Sequence, residues 1–539
     1  MNNIFKSLLA AAVVAPALTG CVEETFPTSG ATQDQLAASS KATEALLWAM
    51  PAYYNTFDIM DNGQAYDWGY GALMHVRDVM TSDFSVAASG YDWFSAWEKN
   101  QYLGPNYMRT QWYWNFYNKQ VLTCNNLMAS LDLATADEAQ KTFYGAGLAF
   151  RASTYLDMAR VYEFLPNDGT SSVNLNGNDV AGLTVPIVTE KTTEAESRNN
   201  PRVPRQQMFE FIIGDLDQAE QLIASGVQTS DGWHNIPDLA VVYGLKARTY
   251  MWVEDYPKAA EYARKAIDTG KYAPMTREEW LSTTDGFNNS QLGRSWMWCA
   301  KTMKEDACVQ SGILNWTAWA SNEAQYGYAA AGPYNMISVA LYNKMSDRDF
   351  RKLSYKAPEG SALAGQEPVI DAAFAATLPA YSSFKFRPGA GNIDDYNVGS
   401  ATCLPLMRIE EMYLIEAEAV AHTAPAQGKQ LLEDFMKTYR YNVYSCRATD
   451  KDGIIDEIFT QKCIELWGEG QTFFDYKRLN KPVIRGYEGT NFQQSAQFNT
   501  TTRPAWMNFC IVETEGNNNE AVKDWNNPDP SDCYPSLKY

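Results

Sequence analysis

Aromatic side chains set among short polar ones are the densest chemistry in this sequence. Within residues 66–117, 15 of 52 positions are Phe, Trp or Tyr, against 13% of the whole chain. In residues 82–101, Tyr91, Trp93, Phe94 and Trp97 stand among Ser, Gly and Asp with neither a helical nor a strand period. Flat rings beside hydrogen-bonding groups suit a ligand with apolar C–H faces rimmed by hydroxyls, as sugars have. A second group, Trp316, Trp319, Tyr326 and Tyr328, lies near Asn315, Asn322 and Gln325. These patterns nominate Trp93, Trp97, Trp316 and Trp319 as stacking platforms, with Tyr91 and Tyr326 beside them. Arg77, Asp83, Asp92 and Asn322 are the polar candidates.

Catalytic and metal signatures are thin. His75, His234 and His422 are far apart, lack H-E-x-x-H spacing and read as structural. There is no G-x-S-x-G and no P-loop, and Gly145-Ala146-Gly147 lacks the rest of a dinucleotide fingerprint and the strand that should precede it. No cofactor or metal is expected. Two suitably placed carboxylates would suffice for a glycosidase, so 64 acidic residues leave that chemistry open.

Cys21 carries a different chemistry. It closes Leu18-Thr19-Gly20-Cys21 behind Lys6 and an apolar run over residues 8–18, the pattern of a bacterial lipoprotein signal. The run is too short to span a bilayer. Residues 1–20 are expected to be a signal peptide, Cys21 the lipidated residue and 21–40 a polar tether, with the folded body over 41–539. Glu23 and Glu24 resemble the acidic signal that directs such anchors to the outer leaflet of the outer membrane.

Without residues 1–20 the chain carries 43 basic and 64 acidic side chains. Nucleic acid and anionic lipid are poor partners for that balance, and neutral ligands suit it better. The remaining eight cysteines are scattered, with Cys299 and Cys308 the nearest in sequence, and read as small core residues.

The elements that must position these residues are helical. Apolar residues three and four apart predict helices over 120–133, 146–164, 207–224, 406–420, 429–439 and 454–467. The aromatics at 112–117 are expected just before the first of these, on its core side. Ala247 and Tyr250, a turn at Asp255-Tyr256, then Ala259 and Ala266 match a tetratricopeptide unit, in which small residues let antiparallel helices approach. Residues 60–115, 165–196, 270–335, 350–400 and 480–539 are rich in Gly, Asn, Asp, Pro or Thr and read as long surface excursions, the usual carriers of function.

Three blocks together resemble the SusD/RagB family of surface lipoproteins. They are Ala149-Phe150-Arg151-Ala152 through Tyr155, Asp157, Arg160 and Tyr162; Leu406-Met407-Arg408 with Glu410, Glu411, Leu414, Glu416, Ala417 and Glu418; and Glu465-Leu466-Trp467-Gly468-Glu469-Gly470 with Phe474-Asp475 and Arg478. Gln461-Lys462 stands where the family more often has Glu-Arg, Tyr476-Lys477 replaces Leu-Arg, and Phe509-Cys510-Ile511-Val512 replaces the usual Pro-Ile-Pro. The resemblance implies an all-α fold of about four tetratricopeptide-like helix pairs packed against a loop-rich irregular half. It also implies ligand-lining residues in the two aromatic regions and no catalysis. The partner would be a SusC-like TonB-dependent transporter at the outer membrane, with oligosaccharide as cargo. Peptide cargo, as in RagB-like relatives, is the alternative, and a surface glycoside hydrolase the third reading. Arg408, Glu418, Glu469, Asp475 and Arg478 are expected to be helix caps and partly buried ion pairs.

Overall fold

Small residues decide where helices can touch, and capping side chains decide where they begin. The computed structural model describes residues 40–226, 234–284, 286–288 and 293–538; Cys21, the signal segment and the tether lie outside them. In chain order the framework is α1 (Ser40–Tyr53), α2 (Tyr70–Val79), β1 (Phe84–Val86), α3 (Ser95–Glu98), α4 (Met108–Ala129), α5 (Glu138–Tyr162), α6 (Arg205–Ser225), α7 (Leu239–Trp252) and α8 (Tyr256–Asp268). It continues with β2 (Trp296–Lys301), α9 (Trp316–Ala320), β3 (Asn335–Ile337), β4 (Cys403–Arg408), α10 (Ile409–Thr423), α11 (Pro425–Tyr439), α12 (Lys451–Glu465) and α13 (Thr472–Arg478).

The tetratricopeptide-like pair is α7 and α8. Asp238 caps α7 by accepting from the Val241 amide, and Asp255 caps α8 from Lys258, with Pro257 in the first turn where its missing N–H costs nothing. Ala247, Ala259, Ala263 and Ala266 are fully buried between them. Each helix packs on the next: α4 on α5, α5 on α6, α6 on α7, α7 on α8, α8 on α10 and α10 on α11, with α12 against α10. The α10–α11 approach requires Gly428, because a Cβ there would meet the Ala421 nitrogen at 2.5 Å. This is the expected all-α, tetratricopeptide-like skeleton.

Two elements differ from expectation. Trp112, Tyr113, Trp114, Phe116 and Tyr117 lie inside α4, which begins at Met108, and all five are buried. Its outer face carries Gln111, Asn115, Asn118, Leu122 and Asn126, none of them buried, so the aromatics belong to the first turns of its inner face rather than to a segment ahead of it. Leu406-Met407-Arg408 is strand, not helix: β4 pairs antiparallel with β2, and only at Ile409 does α10 begin. Pro405 and the partner strand override the helical spacing there. The other small sheet pairs β1 with β3, Phe84 opposite Ile337.

A buried ion network ties the halves together. Glu465 accepts from Arg351 (2.9 Å), Arg440 (2.7 Å) and Arg408 (3.2 Å), while Glu469 accepts from Arg408 (2.9 Å) and Lys385 (2.7 Å). Arg408, Arg440 and Glu465 side chains are fully buried. Burial alone would raise the Glu465 carboxyl, but Arg440, Arg408 and Arg351 hold it far below the usual range. The departures from the family pattern fit here: Gln461 accepts from Arg351 at 2.7 Å, and Lys462 bridges Glu418 and Asp475. Glu418 is in turn met by Arg478 at 2.5 Å. These groups are architectural, and more deeply buried than the sequence suggests.

Candidate functional site

The two aromatic regions meet in space. The Ala87 amide donates to the Tyr334 carbonyl at 2.9 Å, extending the β1–β3 pairing, and a Cβ on Gly332 would lie 2.9 Å from Ser89 Oγ. Residues 87–94 and 326–334 therefore form adjoining loops. Beneath them, Trp319 lies face to face with Tyr328 (4.4 Å between centroids, 19° between planes), more loosely with Trp68 (6.4 Å), and edge-on to Phe94 (5.0 Å). His75 sits in the same aromatic box against Phe84 and Phe94, and burial depresses it to about 3, so it is neutral.

The nominated residues divide sharply by exposure. Tyr91 is 62% exposed and Trp93 44%, on the tip of the first loop. Tyr326 is half-buried, its hydroxyl accepting from Ser400 at 3.2 Å. Trp97, Trp316 and Trp319 are corrected: they are core residues, none more than 8% exposed. Trp97 packs edge-on against Tyr66 and Trp112, and Trp316 against Phe386. They offer no free face to a ligand, because the helices α3 and α9 that carry them turn those rings inward.

The polar candidates are largely corrected too. Arg77 is fully buried, donating to Asp157 (2.9 Å) and the Tyr70 hydroxyl (3.1 Å). Asp83 accepts from Tyr476 at 3.0 Å, and burial raises its carboxyl. Asn322, with no exposed surface, donates to the Asn335 and Ser383 carbonyls and accepts from the Asn335 amide, fixing β3 beside residue 383. All three spend their hydrogen bonds on the fold.

Asp92 alone stays near the rim. Its Oδ1 accepts from the Phe94 amide at 2.9 Å, while Oδ2 is buried without a partner. Burial pushes this carboxyl up to about 6, and pushes Glu98 up to about 8, the Asp92 charge adding to the latter. The two acids titrate together. A pair of carboxyls with separated pKa values could serve acid–base chemistry, but Glu98 is completely buried and its side chain is bound by Gln493. It cannot touch a substrate, so the pair fits a structural latch under the loop better than catalysis. Among the described residues no cluster of His, Cys, Asp and Glu could hold a metal.

Sequence reading passed over Tyr102 and Tyr107, which are 51% and 40% exposed and meet edge-to-face at 5.4 Å. The Arg109 guanidinium lies 5.5 Å from both the Tyr102 and the Trp97 ring centres, so this second exposed pair is braced against the core beneath the first loop. The signal was present as Tyr–x4–Tyr around Gly104-Pro105, a turn that forces rings outward. Within residues 87–109, Tyr91, Trp93, Tyr102 and Tyr107 are the exposed aromatic faces. The cysteines behave as core residues: Cys299 and Cys308 are buried thiols, not a bridge.

Comparison with known proteins agrees with this architecture. The sequence model of the SusD family matches residues 315–532. A SusD-like protein of Formosa agariphila is 22% identical over 376 residues, 63% of this chain and 67% of that one. Among solved structures, a SusD-like carbohydrate-binding protein from Bacteroides vulgatus superposes with a TM-score of 0.69 at 21% identity, covering 90% of this chain and 97% of the other. The surface glycan-binding protein A of Bacteroides thetaiotaomicron, solved with laminarihexaose, gives 0.64 at 16% identity, covering 90% and 99%. The ordered sequence blocks, the SusD family match over residues 315–532 and the fold shared with solved SusD-like structures all point the same way: this chain is similar to the SusD/RagB family in its C-terminal sequence and in its fold.

Proposed function

We propose that this protein is a non-catalytic glycan-binding lipoprotein of the cell surface that captures oligosaccharide and passes it to a SusC-like TonB-dependent transporter. The observation that carries the binding half is the pair Tyr91 and Trp93, exposed on a loop whose base is packed on the Trp319 aromatic stack. An exposed ring on a rigid base loses little freedom when a sugar face settles on it. Relatives of the same fold support the ligand class, one of them having been solved with laminarihexaose. The lipid anchor at Cys21, the outward orientation from Glu23 and Glu24, and the role as a lid over a transporter extend this reading from the sequence pattern and the family.

Screening the full chain against neutral oligosaccharides and peptides, with Trp93→Ala and Tyr91→Ala in parallel, tests it. Oligosaccharide binding that weakens at least tenfold in Trp93→Ala is the expected result. Peptide binding alone would change the cargo, release of reducing ends would make the protein a hydrolase, and parent-like binding by both variants would remove the rim. Loss of fatty-acid labelling in Cys21→Ser tests the anchor.

A further inference from the structure

A cavity of about 160 Å³ opens between the end of α5, the start of α6, α7 and α13. Its lining is strongly basic although the chain carries a net charge of −20: of its 19 lining residues, seven are Arg or Lys and four are Asp or Glu. Pro166 and Glu254 are exposed at its mouth, with Arg205 and Arg503 half-buried beside them.

Four of the seven cations are neutralised locally. Arg160 pairs with Asp157, Arg248 with Glu411, and Lys462 and Arg478 share Glu418 and Asp475. The other three, Arg205, Lys477 and Arg503, face two carboxylates, the exposed Glu254 at the mouth and one buried acid. That buried acid, Glu163, takes Arg205 Nε at 2.5 Å on one oxygen and Trp252 Nε1 at 2.9 Å on the other. Lys477 is confined to the carbonyls of Val161 and Glu163, and Arg503 Nε to the amide oxygen of Asn480 at 2.8 Å. Among the described residues Arg503 forms no ion pair.

Two further observations point to a missing anion. The Arg478 side chain is 8% exposed, and its buried Nη1 makes no hydrogen bond of good geometry, although the Tyr256 hydroxyl interacts with the guanidinium; a weakly satisfied buried donor beside a cavity gains from an anion that enters to meet it. Burial also drives the Lys477 ammonium well below its usual range, and despite Glu163 the charges of Arg503, Arg205 and Arg202 drive it further. The walls are not uniformly polar: Phe474 lies under the Arg160 guanidinium at 3.6 Å, and Trp252 is buried beside it.

We propose that this cavity is a second ligand site, taking the carboxylate or sulfate group of a small acidic saccharide, with Arg205, Arg503 and Arg478 on the oxyanion. Planar guanidinium groups suit either oxyanion by paired N–H donation. The cavity's volume of about 160 Å³ far exceeds the roughly 10 to 15 Å³ that a single water needs and admits one sugar unit. The saccharide body rests on the glycan reading of the previous section; the oxyanion does not. The aromatic rim and this cavity are built from different segments, so a chain with a net negative field can hold a neutral glycan at one and an acidic unit at the other.

Calorimetric titration of the full chain with glucuronate, glucose and inorganic sulfate tests the proposal, with laminarihexaose titrated separately as a neutral probe of the rim. Glucuronate or sulfate is expected to bind and to raise the Tm, glucose to do neither. Arg503→Gln, at a half-buried position on the mouth and outside any ion pair, is expected to fold with near-parental Tm and to weaken the acid at least tenfold; Arg205→Gln is expected to weaken it likewise but to lower the Tm, because it strands the buried Glu163. Preference for glucuronate over sulfate assigns the carboxylate as the source, and the reverse order a sulfate ester. Binding of glucose as tight as that of glucuronate, acid affinity unchanged in both variants, or no binding of either anion at 10-fold molar excesses up to about 10 mM would each overturn it. A rim that fails to bind laminarihexaose while glucuronate still binds would overturn the neutral-glycan reading and leave this site standing.

Discussion

Tyr328 lies flat on Trp319, the ring centres 4.4 Å apart and the planes 19° from parallel. The lower ring is 2% exposed and the upper one half-buried, so a single stack runs from the core to the surface loops. Replacing Trp319 by alanine should therefore act through stability. Removing a fully buried Trp costs about 3 to 5 kcal/mol. Trp319→Ala is expected to lower the unfolding free energy by that amount and the denaturation midpoint with it, and a parent-like midpoint would show that the stack carries no load.

Trp93→Ala should do the opposite. The ring is 44% exposed, so its loss should move stability by no more than about 0.5 kcal/mol. A flat ring stacking on an aromatic platform is worth about 1 to 3 kcal/mol in nucleic-acid systems, and a comparable loss of oligosaccharide affinity is expected. Affinity and midpoint measured on the same preparation separate the two tryptophans.

The carboxyls of Asp92 and Glu98 give the loop a pH dependence. Burial raises both pKa values in the folded chain, to about 6 and about 8. A group whose folded pKa lies above its unfolded one binds its proton more tightly when folded, so stability falls as pH rises from the unfolded carboxyl range near 4 to about 8. Above that both states are ionised and the loss is complete. Tm is expected to fall between pH 5 and 9, and Glu98→Gln, which stays neutral, to flatten most of that slope. A slope of equal size in the variant would place the titration elsewhere.

Glu465→Gln should be severe. It removes the charge that three buried guanidinium groups share, and breaking a buried pair by deleting one partner costs about 3 to 5 kcal/mol. The pH sign is the reverse of the previous case. The depressed carboxyl contributes stability above its unfolded pKa and surrenders it as pH falls toward its folded value. Acid unfolding monitored by near-ultraviolet circular dichroism is expected to begin at higher pH in the variant only if the Gln has lowered stability overall. A variant with parental acid and denaturant midpoints would show that the network contributes nothing.

The helical array could be read from sequence because its signals are local. Asp255, Pro257, Ala259 and Ala266 specify a helix start and its contact stripe within about three turns of each other. The strand at Leu406-Met407-Arg408 could not, since its helix-like spacing is overruled by Trp296 and Trp298 lying opposite, more than a hundred residues earlier. The site divides the same way. Composition located both aromatic loops, but type alone does not say which way a ring points. Trp93 and Trp97 are four residues apart in a similar setting, and only Trp97 finds Tyr66, Trp112 and Arg109 waiting on the inner side. Asn322 and Arg77 were misjudged because polar residues in a loop-rich half are needed to satisfy its own backbone and acids.

Besides its Arg77–Asp157 pair with α5, the C-terminal end of helix α2 is covered by the far end of the sequence. Asp78 accepts from the Gly470 amide, Arg485 donates to the carbonyls of Val79 and Thr81, and Trp506 to that of Met80. A ribosome that has released α2 must add some four hundred more residues before the pieces that close over it exist. During synthesis the early part of the loop-rich half is thus left waiting, with Met80 uncovered, while α4 to α7 already have most of their neighbours. Such a chain stays open for most of its production, and its protection from protease should arrive late and all at once, after residue 506. Nascent chains arrested at 440 and at 530 and probed by brief proteolysis would show whether that step exists.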